Sequence, residues 1–346
     1  MSLGMADVPD APPDAGRILL SRARRECDPV MRVAVGWLAE PLATMAGYHL
    51  GWWDVNGSGT GGWSGRATRA ALVVGAAPAA CGDASAAAPV AAAVELMHNF
   101  SLVHDDVMDR DVTRRGRATV WTVWGETSAI MLGDALHVLC SRVLAEMLAP
   151  EVAMTAIATL ESSFLGLRVG QVDDGDFETP KRVTVDGYLR MAAGKTAGLM
   201  GCACELGALT AGADPLTVSA MREFGYHLGL AFQILDDIVG IWGDPSVTGK
   251  PVGSDLARRK KTLPVIAALE SGSSAALKLA ELYRSTEPMT ANDVAWASEL
   301  IEAAGGRKAA RRHADELMDA ALAALPDQLG SADLIGLAQL VIGRDR

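Results

Sequence analysis

The sequence predicts an all-α protein, on three observations. Alanine and leucine, two strong helix formers, are abundant, whereas aromatic residues make up only 5% of the 346 residues. Long segments place apolar residues at helical spacing and end at glycine, proline or acidic residues. No confident run of alternating β-branched residues marks a strand. Half of the residues are hydrophobic, which is enough for a sizeable core.

The helical spacing defines a series of segments that loops separate. In chain order we predict helices over Arg17–Gly47, Arg66–Gly75, Val90–Asp109, Thr127–Leu148, Glu151–Asp174, Val185–Ala211 and Leu216–Ile241, with further helices between Lys261 and Leu325. The glycine-rich segment Gly51–Gly65 is predicted to be a loop, as is Asp244–Asp255. Pro78 and Gly82 predict a helix break between the second and third helices.

We expect one domain. The length would allow two, but no linker-like segment divides the chain, so residues 17–346 are predicted to form a single domain. Residues 1–16 are polar and acidic and are predicted to be a disordered lead-in. They lack the basic and then apolar order of a secretory signal, and no stretch of 18 apolar residues is free of charges or breakers. A cytoplasmic protein without a transmembrane segment is therefore expected.

Net charge and cysteine content exclude some classes of function. The net charge of -11 argues against a nucleic-acid partner, which would need a basic surface. The cysteines fit neither a disulfide framework nor a zinc site, and buried thiols are predicted instead. These cysteines are Cys27, Cys81, Cys140, Cys202 and Cys204.

Two acidic clusters, each after an apolar helical run, carry the strongest functional signal. In the first, Asp105 and Asp109 are four residues apart, which places both carboxylates on one helix face. The helix dipole and their mutual repulsion disfavour negative charge there, and magnesium resolves both conflicts because it prefers carboxylate oxygens. Alone, either cluster also fits a solvated helix end. Together, Asp105 and the second cluster, Asp236-Asp237, predict one cavity where magnesium ions hold a diphosphate.

Basic residues near both clusters suit such a ligand. Arg114 and Arg115 follow the first cluster, and guanidinium groups pair bidentately with phosphate oxygens. Arg66 and Arg69 begin a helix, where free backbone N–H groups also favour phosphate. The other candidates are Lys195, Lys250, Lys260, Lys261 and His98. Each alone fits a surface charge, or for the histidine a core residue, so the position relative to the aspartates is what selects them.

At these motifs the chain resembles the polyprenyl synthetase family, short-chain all-trans type, which includes geranylgeranyl and farnesyl diphosphate synthases. Residues 101–116, SLVHDDVMDRDVTRRG, resemble the family's first aspartate-rich motif with its arginine pair. Residues 232–264, FQILDDIVGIWGDPSVTGKPVGSDLARRKKTLP, resemble the second motif and the following loop. Weaker matches are Gly65–Leu72, Glu95–His98, Gly170–Asp174 and Lys195–Leu199.

The resemblance implies the isoprenoid synthase fold, an antiparallel helical bundle around a deep central active-site cavity, and a homodimer. It implies a magnesium-dependent prenyltransferase that condenses isopentenyl diphosphate with an allylic diphosphate. The implied magnesium ligands are Asp105, Asp109 and Asp236, supported by Asp106, Asp237 and Asp255. The implied allylic diphosphate ligands are Arg114, Lys195, Lys250 and Lys260, and those of isopentenyl diphosphate are Arg66, Arg69, His98 and Arg115. Lys195, Thr196 and Gln233 would act at the reacting centre.

Two positions depart from the family pattern. Gly240 stands where the second motif usually ends in a third aspartate, so weaker support for the metal is expected while Asp236 keeps its contact. In the glycine-rich loop the family often has Gly-Lys-Arg, where this chain has Gly65-Arg66-Ala67. Arg66 keeps the charge with a different shape, and weaker binding of isopentenyl diphosphate is the expected consequence.

Product length is expected to depend on the cavity wall below the first motif. Phe100 and Ser101 lie about one turn before Asp105, roughly 6–7 Å along the helix axis. Phe100 with a small Ser101 resembles family members that make the C20 product, geranylgeranyl diphosphate. Farnesyl diphosphate and longer products are the alternatives, and Phe100 also fits plain core packing.

Two other functions compete with this interpretation. A class I terpene cyclase shares the general fold, but it would carry an Asn/Ser/Glu metal motif where this chain has Asp236-Asp237. A non-catalytic partner subunit of a heteromeric synthase is the non-enzyme alternative, supported only by Gly240 and Ala67. Metal-dependent turnover by the purified chain alone would eliminate it.

Overall fold

The fold is all-α, as predicted. The computed structural model describes Pro12 and residues 14–63, 65–80, 87–177, 182–243, 253–285, 287–326 and 331–343. Its helices are α1 (Ala15–Val35), α2 (Leu42–Leu50), α3 (Thr68–Ala79), α4 (Ala88–Met108), α5 (Val120–Trp124), α6 (Glu126–Met147), α7 (Pro150–Phe177), α8 (Val185–Ala192), a π-helix (Ala193–Ala197), α9 (Gly198–Thr210), α10 (Pro215–Trp242), α11 (Ser254–Ala257), α12 (Leu263–Glu270), α13 (Ser274–Arg284), α14 (Ala291–Ala303), α15 (Gly306–Ala324) and α16 (Ala332–Ile342).

The N-terminal helices differ from the predicted segments. The predicted first helix is two helices, because α1 ends at Val35 and Pro41, at the N-cap of α2, has no N–H to continue a helix. α1 begins at Ala15, so the last two residues of the predicted lead-in are helical. Pro78 lies inside α3, which ends one residue later, and Gly82 lies outside the described residues.

A short ribbon follows the first aspartate motif and was not predicted. Strands β1 (Thr113–Arg114) and β2 (Arg117–Ala118) pair antiparallel. Arg115 and Gly116 between them both have positive φ, at 53° and 74°, as a type I′ turn requires. Two-residue strands leave no periodic pattern in a sequence. The turn places the arginine pair beside the end of α4.

The two motif helices lie inside the bundle. α4 packs against α1, α3 and α6, while α10 packs against α9 and α15, and α3 and α9 join the two groups. Core side chains of both helices, such as Leu96 and Ile234, have no exposed surface. A smaller second cluster includes Ile241 at the end of α10 and Leu256 of α11, and it extends to α12, α13 and α14. Both motifs are therefore held by packed helices.

Four cysteines are buried free thiols, as predicted: Cys27, Cys140, Cys202 and Cys204. Burial raises the pKa of the Cys27 and Cys140 thiols well above the ordinary value. Protonated buried thiols are poor nucleophiles and poor metal ligands. Cys81 lies outside the described residues.

Helices α6 and α7 expose an apolar face. It consists of Ile130, Met131, Val138, Met154, Leu165, Val169 and Val172. Both helices are long and apolar enough to cross a membrane by length and composition alone, with 44% of the α6 span and 22% of the α7 span buried. Core helices of soluble proteins pass the same test, so this finding is weak support for a membrane span.

Candidate active site

The first aspartate motif occupies the last turn of α4. Asp105 lies within the helix and Asp109 is its C-cap residue. Asp105 Oδ1 is buried and has no hydrogen-bond partner in the described part of the chain, and burial raises the pKa of this carboxyl to about 6. Burying a carboxylate oxygen without a partner is costly unless a cation compensates it. The residues present therefore fit a divalent cation at Asp105 and Asp109.

Asp106 is a positioning residue for the arginine pair. Asp106 is only 2% exposed, and Arg114 Nε donates to Asp106 Oδ1 at 2.6 Å. Arg114 Nη2 also lies 3.9 Å from Asp111 Oδ2. The Arg114–Asp106 contact fixes the ribbon to α4. Asp106 thus contacts Arg114, and its role in supporting the metal stays a prediction.

The two carboxylates of the second motif differ in environment. Asp236 is exposed, whereas Asp237 is 4% exposed. Asp237 accepts hydrogen bonds from Tyr188 Oη at 2.6 Å, Gln233 Nε2 at 3.1 Å and Leu263 N at 3.2 Å. Burial raises the pKa of Asp237 to about 7. Asp237 therefore joins α10 to α8 and α12, and Asp236 is the member available to a ligand.

Charged neighbours place both motifs at one site. Arg258, which follows the second motif, has its Nη1 atom 3.5 Å from Asp111 Oδ1, which follows the first. Burial lowers the pKa of the Arg69 guanidinium, and both Asp236 and Asp105 oppose that shift. Among the described residues, no group of three His, Cys, Asp or Glu side chains is close enough to hold a metal by itself. Magnesium is commonly bound by only one or two carboxylates, with waters and phosphate oxygens as the other ligands.

Two of the predicted diphosphate lysines converge on a single carboxylate. Lys195 Nζ donates to Asp174 Oδ2, and Lys260 Nζ lies 3.8 Å from the same oxygen. Burial alone would raise the pKa of Asp174, but the two lysines hold it below its usual range. Lys195 lies in the π-helix, and α7 approaches it so closely that a Cβ at Gly170 would be 2.3 Å from Lys195 N.

Two of the predicted reacting-centre residues, Thr196 and Gln233, belong to one hydrogen-bonded chain. Thr196 Oγ1 donates to Gln233 Oε1 at 2.6 Å, and Gln233 in turn donates to Asp237. Tyr188 completes this chain from α8. Sequence reasoning missed Tyr188, because an apolar helix gives no sign that its tyrosine reaches a carboxylate 49 positions away.

The residues predicted for isopentenyl diphosphate surround the start of α3. Arg69 Nε is buried without a hydrogen-bond partner in the described residues, while Arg66 is exposed. Arg24 Nη2 donates to Gly65 O at 2.7 Å and holds the preceding loop. Burial is the largest cause that lowers the pKa of His98 well below its ordinary value, and the positive charges of Arg69 and Arg115 add to it. His98 is therefore a neutral imidazole beside the arginines.

Glu95 supplies the buried counter-charge for these arginines. It is 1% exposed and accepts a hydrogen bond from Ala70 N at 3.3 Å. Burial raises the pKa of Glu95, while Arg69 and Arg115 act in the opposite direction. A glutamate inside an apolar helix was part of a weak family match, but its role became clear only from the arginines around it.

His49 is a second residue that sequence reasoning missed. Its Nε2 lies 3.2 Å from Asn99 Oδ1, and a small cavity of about 20 Å³ joins it to Arg114, Arg115 and Arg117. Burial is the largest cause that lowers the pKa of His49 to about 3, and the positive charges of Arg115 and Arg114 add to it. A single histidine on α2 carries no sequence signal for this arrangement.

Acid is expected to destabilise the protein through His49. The unfolded chain binds a proton near pH 6.5 and the folded chain only near pH 3, so stability should fall as pH decreases between these values. The slope contributed is about 1.4 kcal/mol per pH unit. His49→Gln should reduce the loss of melting temperature between pH 6.5 and 5, whereas His313→Gln should leave it unchanged. An unaltered slope in His49→Gln would contradict the assignment.

The predicted chain-length wall is an aromatic cluster. Phe100 is 1% exposed, and its ring lies 4.8 Å from His104, 5.5 Å from His137 and 5.4 Å from Phe164. The Arg168 guanidinium lies 4.4 Å above the ring. Core packing, the alternative given for Phe100, is thus its observed environment, and a role in product length stays a prediction. Ser101 is also buried and donates to His98 O at 2.8 Å.

Two of the remaining predicted site residues are Lys250 and Asp255. Lys250 lies outside the described residues. Asp255 is the second residue of α11, and its carboxylate lies against Gly240 of α10. A separate groove of about 700 Å³ between α7, α9 and α10 is lined by residues such as Ser163 and Tyr226 and includes none of the predicted site residues.

The chain is similar to known proteins over nearly its full length. The family model described as polyprenyl synthetase matches residues 62–301. The chain is 56% identical over 345 residues to a geranylgeranyl diphosphate synthase of Mycobacterium tuberculosis, covering 100% of this chain and 99% of that protein. It is 43% identical over 351 residues to a (2E,6E)-farnesyl diphosphate synthase of Mycobacterium tuberculosis, covering 99% and 97%.

The fold is similar to that of two solved structures. A polyprenyl synthetase from Streptomyces coelicolor has a TM-score of 0.89 at 41% identity, covering 94% of this chain and 99% of that one. A polyprenyl synthase from Caulobacter crescentus, complexed with calcium and isoprenyl diphosphate, has a TM-score of 0.83 at 27% identity, covering 98% and 99%.

Proposed function

This chain belongs to the polyprenyl synthetase family and is a prenyltransferase, and from that premise we propose that it makes geranylgeranyl diphosphate. The substrates are isopentenyl diphosphate and an allylic diphosphate, and the metal is magnesium. The observation that carries the proposed product is the 56% identity to a geranylgeranyl diphosphate synthase over the whole chain. The buried, unpartnered Asp105 oxygen and the two lysines that converge on Asp174 support a site for a metal and a diphosphate. Farnesyl diphosphate is the alternative product, since a farnesyl synthase is also similar.

The carboxylates and lysines would bind the allylic diphosphate together. Asp105, Asp109 and Asp236 would hold magnesium, which when bound neutralises charge on the departing diphosphate. Lys195 and Lys260 now pair with Asp174, and diphosphate oxygens are stronger partners for them because they carry more charge. The Caulobacter crescentus relative is complexed with a divalent cation, which supports this assignment.

The other side chains would orient the substrates and exclude water from the site. Arg69, Arg115 and Arg66 would bind the diphosphate of isopentenyl diphosphate, with neutral His98 donating a hydrogen bond. Thr196 and Gln233 would line the point where the allylic C–O bond breaks and the new C–C bond forms. None of these groups is a ready base, so the released diphosphate takes the final proton. Burial around Phe100 would shield the allylic cation from water.

The proposal is tested by turnover of the purified chain. The protein is incubated with magnesium, isopentenyl diphosphate and, separately, C5, C10 and C15 allylic diphosphates, and the products are sized by mass spectrometry. Magnesium-dependent elongation that ends at C20 is the expected result, with a chelator as control. Elongation ending at C15 would favour the farnesyl alternative, and absence of elongation with every starter would refute the proposal.

We also propose a cytoplasmic homodimer that buries the exposed apolar face of α6 and α7. Exposed apolar side chains on two helices that pack together, such as Val138, Leu165 and Val169, are typical of protein interfaces. Such an interface accounts for the low burial of α7 without a membrane. The protein should accordingly purify from the soluble fraction without detergent.

A charge on this face is expected to separate the dimer. Val169→Glu would bury an unpaired carboxylate at the interface, which costs several kcal/mol. Light scattering after size exclusion should report a mass near twice 36.1 kDa for the wild type and near 36.1 kDa for the variant. Leu277→Glu is the matched control, because Leu277 is 64% exposed on α13, away from this face. A dimer that survives Val169→Glu would contradict the assigned interface.

A further inference from the structure

Arg168 of α7 places its guanidinium group against two aromatic rings, one of which belongs to the predicted chain-length wall. Its guanidinium carbon lies 4.4 Å from the centroid of the Phe100 ring and 5.0 Å from that of the Phe164 ring. A guanidinium is planar and weakly hydrated, so it can stack on a ring where an ammonium group would keep its water. Arg168 therefore covers the Phe100 ring from the side of α7.

A histidine of α4 fixes the position of this guanidinium. His104 Nε2 lies 3.0 Å from the carbonyl oxygen of Ile130, which can only accept a hydrogen bond, so the imidazole proton is on Nε2. His104 Nδ1 is then an acceptor, and Arg168 Nη2 donates to it at 3.4 Å. Gly133 of α6 packs so closely on the imidazole that no side chain would fit there. The imidazole that holds the guanidinium is thus supported from behind by α6.

The arginine joins two positions on one face of α4. Phe100 and His104 are four residues apart, and their rings lie 4.8 Å apart in an edge-to-face arrangement. Burial lowers the pKa of the Arg168 guanidinium, and the nearby carboxylate of Asp105 opposes that shift. The contact between Arg168 and Phe100 therefore lies just below the first aspartate motif, where the chain-length wall is predicted.

A wall that ends chain growth must keep its shape against the growing hydrocarbon. The Phe100 side chain has two rotatable bonds, so packing alone leaves its ring able to change rotamer when a neighbour yields. The guanidinium adds an attraction that depends on its position over the ring face. Because His104 fixes that position, the attraction favours one orientation of the ring.

We propose that Arg168 is a positioning residue that holds the Phe100 ring in the orientation which ends chain growth, and that it thereby helps to determine product length. The inference rests on the proposed function, because it concerns the step at which that reaction stops. It adds a charged contact from α7 to a wall that otherwise consists of core packing. Without the guanidinium the ring should yield, and part of the product should gain one more five-carbon unit.

The experiment removes the charge of Arg168 and keeps most of its bulk. Arg168→Met should raise the share of product one five-carbon unit longer than the wild-type product about 3–10-fold, by mass spectrometry at equal conversion. Arg168→Lys keeps a cation but cannot stack as a plane, so its shift should be smaller. Arg142→Met is the matched control, because Arg142 lies 4.5 Å over the ring of Trp37, and it should leave product length unchanged.

A double variant tests whether Arg168 acts through the ring. Phe100→Leu has no ring for the guanidinium to cover, so adding Arg168→Met to it should lengthen the product no further. Independent effects would instead add. A general loosening of the bundle would lengthen the product with or without the ring, and the melting temperatures of all variants are recorded to detect it.

The outcomes separate this inference from the proposed function. A wild-type chain that elongates no starter would overturn the proposed function, and the inference with it. If the wild type elongates and a folded Arg168→Met variant gives the same product lengths, the inference alone is overturned. A change that persists at full size in the Phe100→Leu background would also overturn it, because the arginine would then act without the ring.

Discussion

Asp105→Asn is expected to lower kcat/KM on the order of 10³-fold or more, the largest loss of any single substitution in the site. Its carboxylate is the buried oxygen donor of the first motif, and the amide carries no charge to offset a divalent cation. The measurement is the initial rate of magnesium-dependent condensation with saturating isopentenyl diphosphate. Asp319→Asn, an exposed aspartate on α15, is the control and should retain wild-type activity.

The same substitution is expected to stabilise the protein when no ligand is bound. Burial disfavours the charged form of Asp105, so an uncharged isostere removes an unfavourable group from the folded state. The melting temperature of Asp105→Asn should rise by about 1–3 °C without magnesium. With magnesium and diphosphate the order should reverse, because only the wild type gains stability from the bound ligands. A variant that is both active and less stable would contradict a metal-binding role.

Removing the ring of Phe100 is expected to lengthen the product by at least one five-carbon unit. The ring closes the space between α4 and α7, where Phe164 and Arg168 cover it. Phe100→Ala opens a cavity in that wall but costs about 3–5 kcal/mol of stability, so Phe100→Leu is the second variant. Products are sized by mass spectrometry at limiting and at excess isopentenyl diphosphate.

The aromatic residues behind Phe100 should affect product length in the same direction. The rings of His137 and Phe164 stack at 4.2 Å behind Phe100, and Glu161 Oε2 lies 2.8 Å from His137 Nε2. Phe164→Ala would allow the Phe100 ring to move back, so a smaller shift toward longer products is expected. Phe224→Leu, a core substitution outside this cluster, is the control for lost stability. Unchanged product length in a folded Phe100→Leu variant would show that Phe100 serves only packing.

The sequence alone determined the helical class and supplied most of the candidate residues of the site. Periodic apolar spacing predicts the bounds of α6 and α10 to within one residue, because helix formation depends on neighbours three and four positions apart. Asp105 and Asp236 were recognisable because the motifs are local runs with specific order. Loops and short elements were harder, and the first predicted helix was wrong because Pro41 divides it.

Only the tertiary structure decided which of these residues act on one another. The pairs Tyr188–Asp237, Arg114–Asp106 and Lys195–Asp174 join separate elements, so no helical period could reveal them. The position of Asp255 against Gly240 is the clearest example, because a missing side chain in one segment is matched by a carboxylate from another. Local spacing specifies helices, whereas side-chain partners depend on how the bundle brings distant segments within a few ångströms of each other.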